Sequence, residues 1–199
     1  MADLIIKDGT GTGNRAKVDN DNRIHVKSNS GTDMEFASHE KQTAYSFSAL
    51  EKTITSAGGE SHILWIKNVN PEKTFQINSI FISYNGGNTN HNRIIIGRGR
   101  IGSSTPSANN TSFTGSNLNL TSANVALVEA YVWNGTGTGM TIAVNGPTAL
   151  SGYFAQGFNS INFEGALIIG YNQVLDFTIQ AEEDGLASVV VTGWFENFI

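Results

Sequence analysis

In Val174-Leu175-Asp176-Phe177-Thr178-Ile179-Gln180 apolar and polar residues alternate from Leu175 onward. In an extended chain Leu175, Phe177 and Ile179 point one way, and Asp176, Thr178 and Gln180 the other. A period of two marks a strand with one face on a core, so this stretch predicts a half-buried β-strand. Moving outward, residues 61–69 carry Ile63, Trp65 and Val69 on one face and His62, Leu64 and Ile66 on the other, which predicts a strand covered on both sides. Residues 74–84 alternate as Phe75 and Ile77, then change phase to Ile80, Ile82 and Tyr84. One extra residue near Asn78 and Ser79, a β-bulge, accounts for the shift.

Further strands are expected at 43–54, 93–96, 125–133, 140–144, 161–169 and 186–195. Residues 121–133 are ambiguous, because Ser122-Ala123-Asn124 before Val125 could open a short helix; strand is the better reading. Gly (22 residues) and Asn punctuate these runs, and helix signals are nearly missing. Eight or more short strands between Gly/Asn turns predict an all-β chain: an antiparallel two-sheet β-sandwich, with the jelly roll the commonest form for this count. The sandwich is expected over 41–199. Residues 1–40 are polar, charged and Gly-rich, and read as an extended N-terminal arm. Its one small hairpin joins 15–18 to 23–26 through Asp19-Asn20-Asp21-Asn22. Two short strands alone are marginal in water, so the arm needs a partner surface.

Charge is divided unevenly along the chain. The first hundred residues hold all twelve Lys and Arg against ten Asp and Glu, a formal +2, while 101–199 carry seven carboxylates and no Lys or Arg, a formal −7. Such polarity suggests a surface that faces other protein. The acidic balance argues against nucleic acid as a partner. Cysteine is absent, which excludes disulfides and thiolate chemistry. No apolar run approaches the roughly 18 residues of a membrane helix, and Met1 to Asp8 lack the pattern of a signal peptide. A soluble protein made in the cytosol, with no membrane partner, is expected.

The motifs tested for chemistry fail on context. Gly97-Arg98-Gly99-Arg100-Ile101-Gly102 matches G-x-G-x-x-G, but no amphipathic helix follows, and no carboxylate stands between Glu72 and Glu129 to hold a ribose. Arg98 and Arg100 are better read as a basic contact edge. The Asp19 to Arg23 stretch opens like a calcium loop, yet Ile24 and Ser30 occupy the positions of the required Gly and Glu. His25, His39, His62 and His91 show no metal or nucleophile spacing, and no G-x-S-x-G elbow is present. Glu129, Glu164 and Asp176 could meet in space as glycosidase carboxylates, but nothing in their spacing selects them. No catalytic residue, cofactor or metal is therefore assigned, and the chain is expected not to be an enzyme. Tyr131 and Trp133, ahead of the Gly135-Thr136-Gly137-Thr138-Gly139 turn, are candidate exposed binding rings, whereas Trp65 and Trp194 read as core. Residues 103–124 are Ser/Thr/Asn-rich and too long for an ordinary loop. The apolar end, Phe198 and Ile199, is a candidate subunit contact.

Three pieces together resemble virion structural proteins of tailed bacteriophages: the leader from Ile6-Lys7-Asp8-Gly9-Thr10-Gly11 through Ala16-Lys17-Val18-Asp19 to Arg23-Ile24-His25-Val26; His62-Ile63-Leu64-Trp65-Ile66-Lys67-Asn68 with Phe75-Gln76-Ile77-Asn78-Ser79-Ile80; and Ala166-Leu167-Ile168-Ile169-Gly170-Tyr171-Asn172-Gln173-Val174-Leu175 with the closing Val189-Val190-Val191-Thr192-Gly193-Trp194-Phe195-Glu196. They cover about half of the chain, and none is a catalytic signature. The resemblance implies an auxiliary head protein of jelly-roll type that decorates or cements a capsid, found in the virion after assembly in the bacterial cytoplasm. Its partners would be the major capsid protein or another virion protein and further copies of itself, for instance in a trimer. The arm would dock through Leu4, Ile5, Ile6, Arg15, Lys17, Val18, Arg23, Ile24 and Val26. The rival expectation is a receptor- or glycan-binding module of a tail fibre or tail tip, using Trp133 and the 103–124 loop. A polysaccharide hydrolase ranks last.

Overall fold

The computed structural model describes residues 17–18, 24–25, 34, 37–56, 59–86, 94–102, 104–143, 146–155 and 157–197. The chain forms two compact units, Met1–Thr32 and Asp33–Ile199. In the first, β1 (Lys17–Val18) pairs with β2 (Ile24–His25) antiparallel, Lys17 opposite His25 and Val18 opposite Ile24. The expected hairpin is present. Leu4, Ile5, Ile6, Arg15, Arg23 and Val26 lie outside the described residues, as do Phe198 and Ile199.

The second unit is built on eight strands in two antiparallel sheets. One orders β3 (Ala44–Ile54), β13 (Gly185–Asn197), β5 (Lys73–Gly86) and β11 (Gly157–Ile169) side by side; the other orders β4 (Ser61–Asn68), β12 (Val174–Ala181), β6 (Ile94–Ile101) and β10 (Thr148–Ala155). Read in chain order, successive strands alternate between the sheets up to β6, and again from β10. That is the strand order of a jelly roll. Between β6 and β10 runs an insertion, 102–147, whose strands extend both sheets at the opposite edge. There β9 (Val128–Trp133) pairs with β4, β7 (Asn110–Phe113) with β9, and β8 (Ser116–Asn117) with β3.

The core lies between the sheets. From one side come Phe47, Phe75, Ile77, Ile80, Ile82, Val189 and Val191, and from the other Leu64, Ile66, Leu175, Phe177 and Ile179, all buried. Phe47 meets Phe75 edge-on at 5.5 Å between centroids and Phe113 of the insertion at 6.2 Å. Gly115 lies directly against the Phe47 ring, where any Cβ would collide with it. The expected bulge in β5 is present: Thr192 pairs with Ser79 and Gly193 with Ile77, leaving Asn78 as the extra residue. A wider bulge in β11 sets Asn162 opposite Ser79 but Leu167 opposite Ile77. Within it Glu164 and Gly165 take positive φ, 50° and 85°.

Several expectations need correction. Strand β12 is not half-buried, because Asp176 and Thr178 are as inaccessible as Phe177. Of the expected strand 140–144, residues 140–143 form no strand beyond a single bridge from Thr141 to Ala108, Val144 lies outside the described residues, and the unpredicted β10 takes the place beside β6. Residues 121–127 are neither helix nor strand, so β9 begins at Val128. The compact body also starts before residue 41. A π-helical turn, Ala37–Lys41, packs Ala37 with Ala44 and Trp194, Met34 rests on the same cluster, and Lys41 approaches Glu196 at 3.6 Å.

Candidate functional site

Opposite residues of an antiparallel pair share a face, so the pairing fixes what the six-stranded sheet turns away from the core. Phe113 reaches Phe47 across the sandwich, and through it Ala130, Ile66 and Leu175 are inward. Their neighbours Tyr131, Trp65 and Asp176 are therefore outward. On this outer face the Asp176 carboxylate, fully buried, lies 2.8 Å from His62 Nδ1. The Trp65 ring, also fully buried, packs on Tyr131 at 5.4 Å. Tyr131 Oη donates to Glu129 at 2.9 Å, and that hydrogen bond, with burial and the carboxylate's charge behind it, pushes the phenol above its ordinary pKa. Thr178 donates to Glu60.

A His–Asp pair invites a catalytic reading, since a buried carboxylate can orient an imidazole for general-base work. Nothing described here supplies a nucleophile. The Thr178 hydroxyl is engaged by Glu60, and the Ser61 hydroxyl is buried without a partner. No group of three or more His, Cys, Asp or Glu suited to a metal ion occurs among the described residues. The carboxylates suggested for sugar hydrolysis are not brought together as a set: Glu164 sits on β11 in the five-stranded sheet, Glu129 and Asp176 in the other.

Other candidates shift as well. Trp133 is not an exposed binding ring: it is 2% accessible and its indole N–H donates to Thr136 O at 2.6 Å. The turn over it depends on its glycines, since Gly135, Gly137 and Gly139 all have positive φ. Arg98 and Arg100 stand on β6, between β10 and β12, with Arg98 paired to Thr178 and Arg100 to Asp176. The glycine motif is a strand pattern. Gly99 stands opposite Phe177 and Gly97 opposite Ile179, so no side chain competes there with those two core residues.

The insertion contains the long 103–124 stretch that the sequence marked out, and it supplies a further surface. Residues 103–128 contain no charged side chain. Their order rests on asparagines. Asn117 Nδ2 donates to Gln42 O (3.0 Å), Asn124 O (3.3 Å) and Ser122 Oγ (3.4 Å), and its Oδ1 accepts from Asn119 N (2.8 Å). Asn119 Oδ1 in turn accepts from Thr121 N, and Asn119 Nδ2 donates to Ser38 O. Such side-chain to backbone bonds hold turns without a hydrophobic anchor. Ala126 enters the core, while the larger aliphatic side chains of this loop face water: Leu120 is 94% exposed, Val125 64%, Leu127 55% and Leu118 39%. Val69 adjoins them through its N–H bond to Leu127 O. The sequence marked the stretch by its length and near-absence of charge, but not which of its aliphatic side chains are left in water. No family model, curated protein or solved structure matches the chain.

Proposed function

We propose that this chain is a non-enzymatic assembly protein, a structural subunit of a tailed-phage virion that decorates or cements the head. One observation carries the reading: a jelly-roll body whose insertion is held in place by asparagines while it presents Leu118, Leu120, Val125 and Leu127 to solvent. Exposed aliphatics on an ordered loop favour contact with protein. The buried His62–Asp176 pair fits structural support of β12 better than turnover. In this reading the hairpin unit, Met1–Thr32, docks on the shell, and its partners are the major capsid protein or another virion protein. Deletion of residues 1–32 spares every residue of the compact body. The truncated chain should fold with the same melting temperature and lose attachment to particles; retained attachment would remove the arm from the account.

A second reading has its own support. On the outer face of the five-stranded sheet Phe158, 71% exposed, stacks on Phe81 at 5.6 Å and 24°. Ser83, Ser160, Ser188, Ser79 and Thr192 occupy the same face by register. An aromatic platform framed by hydroxyls suits a sugar ring, so a glycan-binding module of a tail would use this face and not Trp133. Glycan-array binding that disappears in Phe158→Ala would favour it over decoration.

A further inference from the structure

We infer that the outer face of the five-stranded sheet binds a neutral sugar, with a pyranose ring stacked on Phe158 and hydrogen-bonded to Ser83, Ser160 and Ser188. The inference rests on the glycan-binding reading above and narrows it to a class of ligand and a set of contacts.

The surface alternates apolar and hydroxyl groups at the scale of a single ring. Phe81 supports the Phe158 ring from one side, and that ring is still mostly exposed. Ser83 stands opposite Phe158, Ser160 opposite Phe81, and Ser188 beside Ser83 on the next strand. The hydroxyls of Ser83 and Ser160 bond to no described residue. Ser188 Oγ accepts from Glu51 N at 2.9 Å and keeps its own O–H to donate. Farther along the face, by contrast, Ser79 and Thr192 satisfy each other at 2.7 Å.

This pattern selects the occupant. The centre of a protein interface is a continuous apolar surface, whereas here Ser188 and Ser83 stand between Phe158 and Leu50, the exposed leucine of β3. A ligand seated on the ring and the serines together must carry C–H and O–H groups within one ring of its own, as a pyranose does. Its C–H face covers the phenyl ring, and its hydroxyls take the place of water on the serines. Charge then sets the class. Strands β11 and β13 carry no Lys or Arg, and β5 only Lys73, its first residue. Lys52 of β3 stands opposite buried Ala187, on the inner side. No cation is therefore placed to pair with the carboxylate of an acidic sugar, while Glu51 and Glu164 flank the patch and repel it. Because the platform is carried by paired strands, little conformational freedom is lost on binding.

The full-length protein can be tested on an array of neutral oligosaccharides and the same structures capped with sialic or uronic acid, followed by calorimetric titration with the neutral sugar retained best. Binding to neutral glycans is expected, weaker by about tenfold or more when they are capped. Phe158→Ala and Phe158→Leu should each weaken binding by about tenfold or more while leaving the circular dichroism spectrum and melting temperature unchanged. Leucine discriminates, since it preserves an apolar contact with protein but removes the ring a sugar stacks on. Ser160→Ala should cost about two- to tenfold, one neutral hydrogen bond, and Phe158→Trp should retain binding. Binding confined to acidic glycans and lost in Phe158→Ala overturns the neutral class yet keeps the glycan reading. Binding untouched by Phe158→Ala overturns the site, and silence across the array overturns the inference and the glycan reading together. A dimer seen in sedimentation that Phe158→Ala dissociates and Phe158→Leu preserves would show a second copy on the ring, and overturns the inference equally. Particle attachment is measured separately, so the decoration reading stands or falls on its own.

Discussion

The jelly-roll strands and the insertion between β6 and β10 are ordered by opposite means. In the body, large side chains such as Phe47, Phe75, Trp65 and Phe177 are fully buried, and the backbone ladder follows from their packing. In the 117–127 loop only Ala126 enters the core while Leu118, Leu120, Val125 and Leu127 face water, and Asn117, Asn119, Ser122 and Asn124 supply hydrogen bonds to backbone. The contrast teaches that apolar residues outside the core can be a retained feature of the surface. A loop that needed its leucines for folding would have buried them.

The comparison breaks first, and most severely, in the body. Phe177→Ala should cost about 3–5 kcal/mol in urea denaturation, the usual range for a large aromatic removed from a packed core; a loss near zero would mean that the sheets are not packed as described. Asp176→Ala should follow at about 1–3 kcal/mol, since removing one partner of a buried hydrogen bond leaves the other unsatisfied. His62, 14% accessible, keeps some access to water and moderates that loss. Asn117→Ala sharpens the other side. With several hydrogen bonds removed at a half-buried site, global stability should fall by about 1–2 kcal/mol, and amide exchange should accelerate chiefly at 118–125. Uniform acceleration across the body would deny the loop its separate scaffold.

Leu120→Ser should change stability by less than about 0.5 kcal/mol, as an exposed substitution away from packing or caps. A larger effect would mean that the leucine serves the fold. Smallest of all is the pH effect at Asp184. Its carboxylate accepts from Ser56 N (2.8 Å) and Oγ (3.0 Å), chiefly the backbone N–H, and these bonds hold its pKa below the usual carboxylate value. A depressed folded pKa contributes stability above the unfolded carboxylate pKa, and that contribution is lost as pH falls through the folded one. Titration followed by NMR should show the depressed midpoint, and it should return toward the ordinary value most fully when the backbone bond is disrupted by Ser56→Pro.

Much of the fold was legible because strands announce themselves by period. The β3, β4, β5 and β13 runs, the phase change at Asn78, and the hairpin registering Val18 with Ile24 were all readable locally. Strand β10 was not: Ser151 and Gly152 interrupt its alternation, and Gly152 makes sense only opposite Gly97 of β6. Trp133 was misplaced because exposure cannot be read from a ring's position before a turn. Its burial depends on where Thr136 O folds back.

By itself the sequence determined the class of structure, since alternation with a period of two and frequent Gly/Asn turns leave little but sheets. It also determined the neutrality of 103–128 and the confinement of every Lys and Arg to the first hundred residues. Tertiary structure alone decided that the insertion crosses to the far edge and extends both sheets, that Asp176 and His62 meet across strands 114 residues apart in sequence, and that Leu120 is left in water. The physical reason is range. Periodicity is a property of neighbours along the chain, whereas burial and pairing depend on which distant segment arrives to cover a face.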